Sequence, residues 1–360
     1  MTFMLNAEKS PLKERYEFVR FDISRPPKKN VIDNYGYQSV LQGGILRLIH
    51  GIALTLWNVV RFPFVVIASR VDLVQVHASD FQTYWEAALY VQMCRMLRRP
   101  VLLRLGGAFD YFYEVSSPRA QRLIRRVLQL PDRLIVQSPY WRNVIRRLGR
   151  DAGVVILANS VPDALTAPVT RSELTTPVCL FIASVDAVRK GIDEVLAAMK
   201  ALAGKSIPVR FHLLAMAPQL KERVVAKRFI FPIEIVGHVD HDQLLTAMRK
   251  ADIFLLPSRG EGFPNSLLEA MAAGLACIVT PVGAVPEIVG EDGAIVVPVR
   301  DGAALADAIA QVASDSNLRQ RLSERGRAIV RERYVESVVF PVLDQAYREL
   351  LHEPASAPAE

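Results

Sequence analysis

Residues 251–289 spell ADIFLLPSRGEGFPNSLLEAMAAGLACIVTPVGAVPEIV, and this run leaves few folds open. Its first six residues, ADIFLL, are apolar and include β-branched Ile253, the pattern of a short buried strand. Pro257, Gly260, Gly262 and Pro264 then break regular structure, so a loop follows. Residues 265–273 are good helix formers and stop at Gly274, a usual residue just past a helix end. Residues 275–280, LACIVT, make a second buried strand. Strand, loop, helix and strand in this order form a βαβ unit, which needs a parallel sheet.

Two carboxylates take fixed places in that unit. Glu261 falls in the loop at the carboxyl end of the strand, the edge where open α/β sheets bind ligands. From there it can face a positively charged reacting carbon or accept from hydroxyls. Glu269 falls one turn into the helix, where it can accept from a ribose diol. The start of that helix suits a phosphate, because its first N–H groups lack intrahelical partners. Each acid also has an ordinary reading. Ser266-x-x-Glu269 fits a capping box, in which Glu269 only closes its own helix, and Glu261 taken alone is a solvated loop acid.

As a whole, E-G-F-P-N-S-L-L-E-A-M-A-A-G, followed by Gly283 and Pro286-Glu287-Ile288-Val289, resembles the E-x7-E signature of retaining, family-4-type (group 1) glycosyltransferases. The resemblance implies the GT-B fold, an α/β chain of two Rossmann-like, doubly wound domains facing across a cleft. It also implies a donor site. Glu261 would meet the sugar near its anomeric centre. Gly262, Phe263, Pro264, Asn265, Ser266 and Leu267 would supply the backbone around sugar and phosphate. Glu269 would bind the nucleotide ribose.

A second element lies at residues 181–191, FIASVDAVRKG, where Arg189-Lys190-Gly191 lead from a strand and loop into a helix. Lys190 can set its ammonium on a diphosphate as a point charge; a lone lysine before glycine is otherwise a surface residue. The run resembles the family's G-R…K-G element, in which both Arg and Lys hold the donor diphosphate. Lys190-Gly191 is kept, but the Gly and Arg places fall within Ala183-Ser184-Val185 and are unmatched. That departure removes a bidentate phosphate clamp, for which Arg189 or Arg259 is the expected substitute. In the first half, Leu103-Arg104-Leu105-Gly106-Gly107 lies where many relatives carry a histidine just before two glycines, and Leu105 takes that place. Arg104, Gly106 and Gly107 are the acceptor-side candidates, with a structural strand-end arginine as the other reading of Arg104.

A chain of 360 residues has room for two domains. The expected layout is an acceptor-side domain at 1–165, a nucleotide-sugar domain at 172–334, a helix at 335–352 that crosses back to the first domain, and a disordered tail at 353–360. Residues 16–23, YEFVRFDI, alternate like a strand. What precedes them is too short for the family's opening strand and glycine-rich loop, so the first βα unit is expected to be missing through a late start or truncation. Residues 45–69 are apolar but carry Arg47, His50, Asn58 and Arg61 and are expected to break at Pro63. They read as an amphipathic helix on the sheet, dipping into lipid, and not as a span. Cys94, Cys179 and Cys277 sit in apolar runs with no C-x-x-C, so they read as core residues in a reducing cytosol.

Charge separates the halves. Residues 1–170 hold 23 Lys and Arg against 13 Asp and Glu; the remainder holds 21 against 24. Arginines cluster at 95–99, 119–126 and 142–150, some beside Tyr140 and Trp141. A solvated helix face accounts for such runs, and an anionic membrane is the partner next in line. No nucleic-acid recognition motif accompanies them. The reading is therefore a retaining glycosyltransferase that moves a hexosyl unit from a nucleotide-sugar to a glycan or lipid-linked glycan hydroxyl in polysaccharide or glycolipid synthesis. It is expected to be cytoplasmic, peripheral on the inner membrane face, and to need no metal or other cofactor. The rivals are a catalytically weak GT-B scaffold or binding subunit, which the unmatched Arg and His places favour, and a nucleotide-sugar epimerase.

Overall fold

A computed structural model describes residues 7–8, 10–23, 44–79, 81–107, 109–168, 176–183, 186–205 and 207–352. Ser184, Val185 and the 353–360 tail lie outside them. The described chain divides into two compact units. One holds the residues up to Asn159 together with those from Glu336 onward, and the other holds Ser160–Val335.

In the first unit, α1 (Gly44–Ala68) precedes β1 (Val74–Ala78), α2 (Phe81–Met96) and β2 (Val101–Leu105). Then come α3 (Phe109–Val115), α4 (Pro118–Leu128), β3 (Arg133–Val136), α5 (Pro139–Arg147) and β4 (Val154–Ile156). The four strands are parallel and lie in chain order, β1-β2-β3-β4. Right-handed crossovers that all step one way place their helices on one face. The other face, with Leu102, Ile135 and Leu157, is closed by Val339, Phe340 and Leu343 of the C-terminal helix Glu336–Leu351. Ser117 and Ser138 cap α4 and α5, accepting from Ala120 N and Trp141 N, with Pro118 and Pro139 at the first helical positions.

The second unit contains β5 (Val178–Ile182), α6 (Ile192–Leu202), β6 (Arg210–Leu214), α7 (Pro218–Val225), β7 (Ile233–Ile235), α8 (His241–Lys250), β8 (Ile253–Leu256) and α9 (Asn265–Ala272). It continues through β9 (Ala276–Val279), α10 (Val285–Val289), β10 (Ile295–Val296), α11 (Gly302–Ser314) and α12 (Ser316–Arg333). Its sheet is parallel, in the order β10-β9-β8-β5-β6-β7. The chain builds outward from β5 to β7, then returns to place β8 on the other side of β5. That reversal makes the sheet doubly wound and opens a crevice at the carboxyl ends of β5 and β8. Every residue of β8 and β9 is buried, as strands covered on both faces require. All three cysteines are buried and free.

Three expectations need correction. Residues 16–23 form no strand. Tyr16 instead donates its hydroxyl to Asp344 and packs on Tyr347, so side chains anchor this segment to the C-terminal helix. The 44–68 helix runs unbroken through Pro63. Its residues 51–68 hold one charge, Arg61, and are long and apolar enough to cross a membrane by length and composition. Arg150 does not belong to the basic surface: it is buried, and the carbonyls of Leu128, Pro131 and Ala152 accept from its guanidinium.

Candidate functional site

The loops that follow β5 and β8 meet at the switch point. Arg259 N donates to Arg189 O at 2.7 Å, which ties the loops backbone to backbone. Two glycines allow close backbone contact with the β8 loop, Gly191 from the β5 loop and Gly283 from the loop after β9. Gly191 has φ +90°, and a Cβ there would lie 2.1 Å from Pro257 O. Gly283 has φ +55°, and a Cβ there would lie 1.8 Å from Glu261 O. These are left-handed conformations that only glycine adopts without cost. The K-G pair and the downstream Gly283 are thus packing requirements of the site.

The docked loops bring together groups 71 residues apart. Lys190 Nζ lies 2.8 Å from Glu261 Oε1, with side chains only 15% and 6% exposed. Ser258, fully buried, donates its Oγ to the same oxygen at 2.6 Å. Arg189 Nη1 lies 3.7 Å from Glu261 Oε2, while its Nε bonds Asp186 and its Nη1 also donates to Gly260 O. A carboxylate held by a cation and a hydroxyl is locked in one orientation. Arg259 does not share this task. Its guanidinium is bound to Asp193 and Glu194 on α6, at 3.1 and 2.9 Å. Of the two arginines expected to hold phosphate, Arg189 lies beside Glu261 and Arg259 is paired on α6.

Downstream, α9 begins at Asn265 without a side-chain cap. Glu269 therefore does not close its helix, and the capping-box reading falls. Its carboxyl is 12% exposed, with His241 Nδ1 at 3.9 Å as its neighbour. Burial pushes it up to about 7. Phe263 is buried edge-on against Tyr334, which anchors the segment from Gly262 to Leu267 between the two acids.

The raised Glu269 carboxyl has a stability consequence. Below the ordinary carboxylate range, folded and unfolded chains both hold its proton. Between there and about pH 7 only the folded chain does, so stability falls as pH rises through that window and levels off above it. Glu269→Gln removes the slope. Urea unfolding at pH 5 and pH 8 should show the wild type losing up to about 3 kcal/mol more than the variant; equal losses would mean the carboxyl titrates normally.

In the first unit, Arg104 at the carboxyl end of β2 is buried and donates to Asn159 Oδ1 at 2.7 Å and to Ala158 O at 3.4 Å. Burial lowers its affinity for its proton to about 9. It ties the sheet edge to the start of the inter-unit linker, the structural role open to a strand-end arginine. Gly106 N donates to Ala78 O, and Gly107 has φ +70°. His77, in register with Arg104 on β1, is exposed, and its Nε2 lies 2.8 Å from Gln75 Nε2. Ser258, His241 and His77 went unread in the sequence. Only Ser258 had a local signal, its place between the strand-ending Pro257 and Glu261.

Residues 176–315, within the second unit, match the family profile described as glycosyl transferases group 1. A phosphatidyl-myo-inositol mannosyltransferase of Mycobacterium leprae is 33% identical over 171 residues, 47% of this chain and 45% of that protein. The chain therefore matches under half the length of that relative. Sucrose-phosphate synthase of Thermosynechococcus elongatus superposes with a TM-score of 0.70 at 22% identity, covering 83% of this chain and 79% of that one. Anabaena HepE in complex with UDP-glucose superposes with a TM-score of 0.65 at 17% identity, covering 82% and 81%. The fold is that of the GT-B glycosyltransferases.

Proposed function

We propose that the chain is a retaining, family-4-type glycosyltransferase. It would move a hexosyl unit from a nucleotide-sugar to a hydroxyl of a glycan or lipid-linked glycan. The observation that supports this most is the Lys190–Glu261 pair at the switch point, with buried Glu269 one helix turn beyond. The group 1 domain match and a neighbour complexed with UDP-glucose agree with a nucleotide-sugar donor.

In this reading the donor diphosphate lies against Lys190, Arg189 and the first turn of α9. As the bond from the anomeric carbon to the phosphate oxygen breaks, negative charge grows on the diphosphate, and the two cations and helix start stabilise it. Glu261, held by Lys190 and Ser258, faces the positive charge that develops at the anomeric carbon. The acceptor oxygen bonds to that carbon from the same face, and its proton passes to the departing phosphate oxygen. The charges needed are supplied by side chains, so the scheme calls on no metal. Gly106 and Gly107, just past β2, would line the acceptor side, with Arg104 supporting them through Asn159.

Thermal shift with a panel of uridine- and guanosine-diphosphate sugars tests this. A donor at 100 times its dissociation constant should add about 2.7 kcal/mol, and Glu269→Ala should lose that gain. Because ribose hydroxyls donate to an ionised carboxylate, the gain should also shrink below pH about 7. Absence of any shift in folded protein would leave a scaffold role as the better account.

A further inference from the structure

The 44–68 helix is amphipathic in reverse. Ile52, Leu56, Trp57, Val60, Phe64 and Ile67 are each 52–69% exposed. At about 100° per residue they fall within an arc of about 140°. Gly51, Asn58, Phe62 and Val66 are buried and occupy the opposite side. The buried side is firmly attached: the Phe62 ring lies 4.9 Å from Tyr90 and 5.4 Å from Phe21, and Thr55 Oγ1 donates to Glu86 at 3.0 Å. A contiguous stripe of large apolar residues facing outward marks an interaction surface.

Charge identifies the partner. Residues 81–147 contain 12 arginines, no lysine and four acids. Arg119, Arg122, Arg125 and Arg126 on α4 are exposed. A groove of about 720 Å³ runs from Thr55, on the attached side of the helix, past Leu89 and Leu123 to Arg126, so α4 and its arginines lie beside the helix in the same unit. Guanidinium groups bind phosphate as a fork. Apolar residues next to phosphate-binding cations fit the boundary of an anionic bilayer, where acyl chains meet phosphate headgroups.

We propose that this chain docks on an anionic membrane through the 44–68 helix, which lies in the plane of the interface with its outer stripe in the acyl region and the neighbouring arginines on the headgroups. The helix does not span, because its other side is committed to the protein and β1 begins only six residues beyond its end. Arg61 sits at the edge of the stripe, over the Phe21 ring, where its stem can follow the apolar surface while its head reaches water. The partner extends the transfer reading, on which its purpose rests: a lipid-linked acceptor would be met at the surface that carries it.

The test is flotation of the full chain with phosphatidylcholine vesicles, with and without phosphatidylglycerol, following Trp57 emission and its quenching by brominated lipid. Strong binding should need the anionic lipid. The triple substitution Leu56→Ser, Val60→Ser and Phe64→Ser should weaken it by at least about tenfold. Arg119→Gln, Arg122→Gln and Arg125→Gln together should remove the preference for anionic lipid. An unchanged nucleotide-sugar thermal shift and near-ultraviolet spectrum would show that the variants fold, and would keep this test apart from the donor reading. Binding that ignores the triple substitution, no binding by the wild type, or resistance of bound protein to alkaline extraction would each overturn in-plane docking.

Discussion

Glu261→Gln should lower glycosyl transfer by about two to three orders of magnitude, the usual cost of removing one preorganised electrostatic group at a reacting centre. Lys190→Ala should cost a similar factor. The two losses should not multiply. Lys190 Nζ and Ser258 Oγ converge on one oxygen of Glu261, so either substitution alone releases the carboxylate from its fixed orientation. The double variant should therefore be little worse than either single one, as found for residues that act as a unit. Fully multiplicative losses would mean that the ion pair is incidental and that each residue acts separately.

The second large effect is on stability. Gly191→Ala and Gly283→Ala should each cost about 3–5 kcal/mol, the range reserved for forced backbone strain and overpacking. In both, a methyl would be driven into a carbonyl of the β8 loop, Pro257 O at 2.1 Å or Glu261 O at 1.8 Å. Backbone cannot yield there as a flexible side chain would, because Arg259 N donates to Arg189 O beside Gly191 and Ala284 N donates to Gly262 O beside Gly283. Gly290 is the internal control. It also has a positive φ, +62°, but a Cβ there meets nothing within 4 Å. Gly290→Ala should cost only backbone strain of about 1–3 kcal/mol, since φ +62° with ψ −150° suits glycine alone. Urea unfolding of the three variants separates the terms, and Gly191→Ala matching Gly290→Ala would show that loop packing contributes little.

The arginines of the site illustrate how partner choice depends on folding. Arg189 and Arg259 were equal candidates for a phosphate role, each in a glycine-flanked loop. Arg189 lies beside Glu261, while Arg259 pairs with Asp193 and Glu194. They sit in the first turn of α6, where acids are favoured for their own sake by the helix dipole. Nothing near Arg259 in the sequence announces this, since its partners are 65 and 66 residues away.

The sequence alone determined the local grammar of several elements in both units. Strand, loop, helix and strand at 251–280, the stop at Gly274 (φ +75°) and the capped starts at Ser117 and Ser138 all follow from periodicity and backbone preference. Those are properties of a few consecutive residues. The positions of Lys190 and the two glutamates were legible for the same reason, because motif spacing fixes which loop carries which charge. Only the tertiary structure decided the rest. Setting β8 beside β5 brought Lys190 to Glu261, and burial without a cap raised the Glu269 carboxyl. Residues 16–23 alternate as a strand does, yet they pair with no strand, since side-chain anchoring to a helix more than 300 residues away rewards the same alternation. In the 44–68 helix, composition marked an apolar element, but only packing could show which side the protein keeps and which side it turns outward.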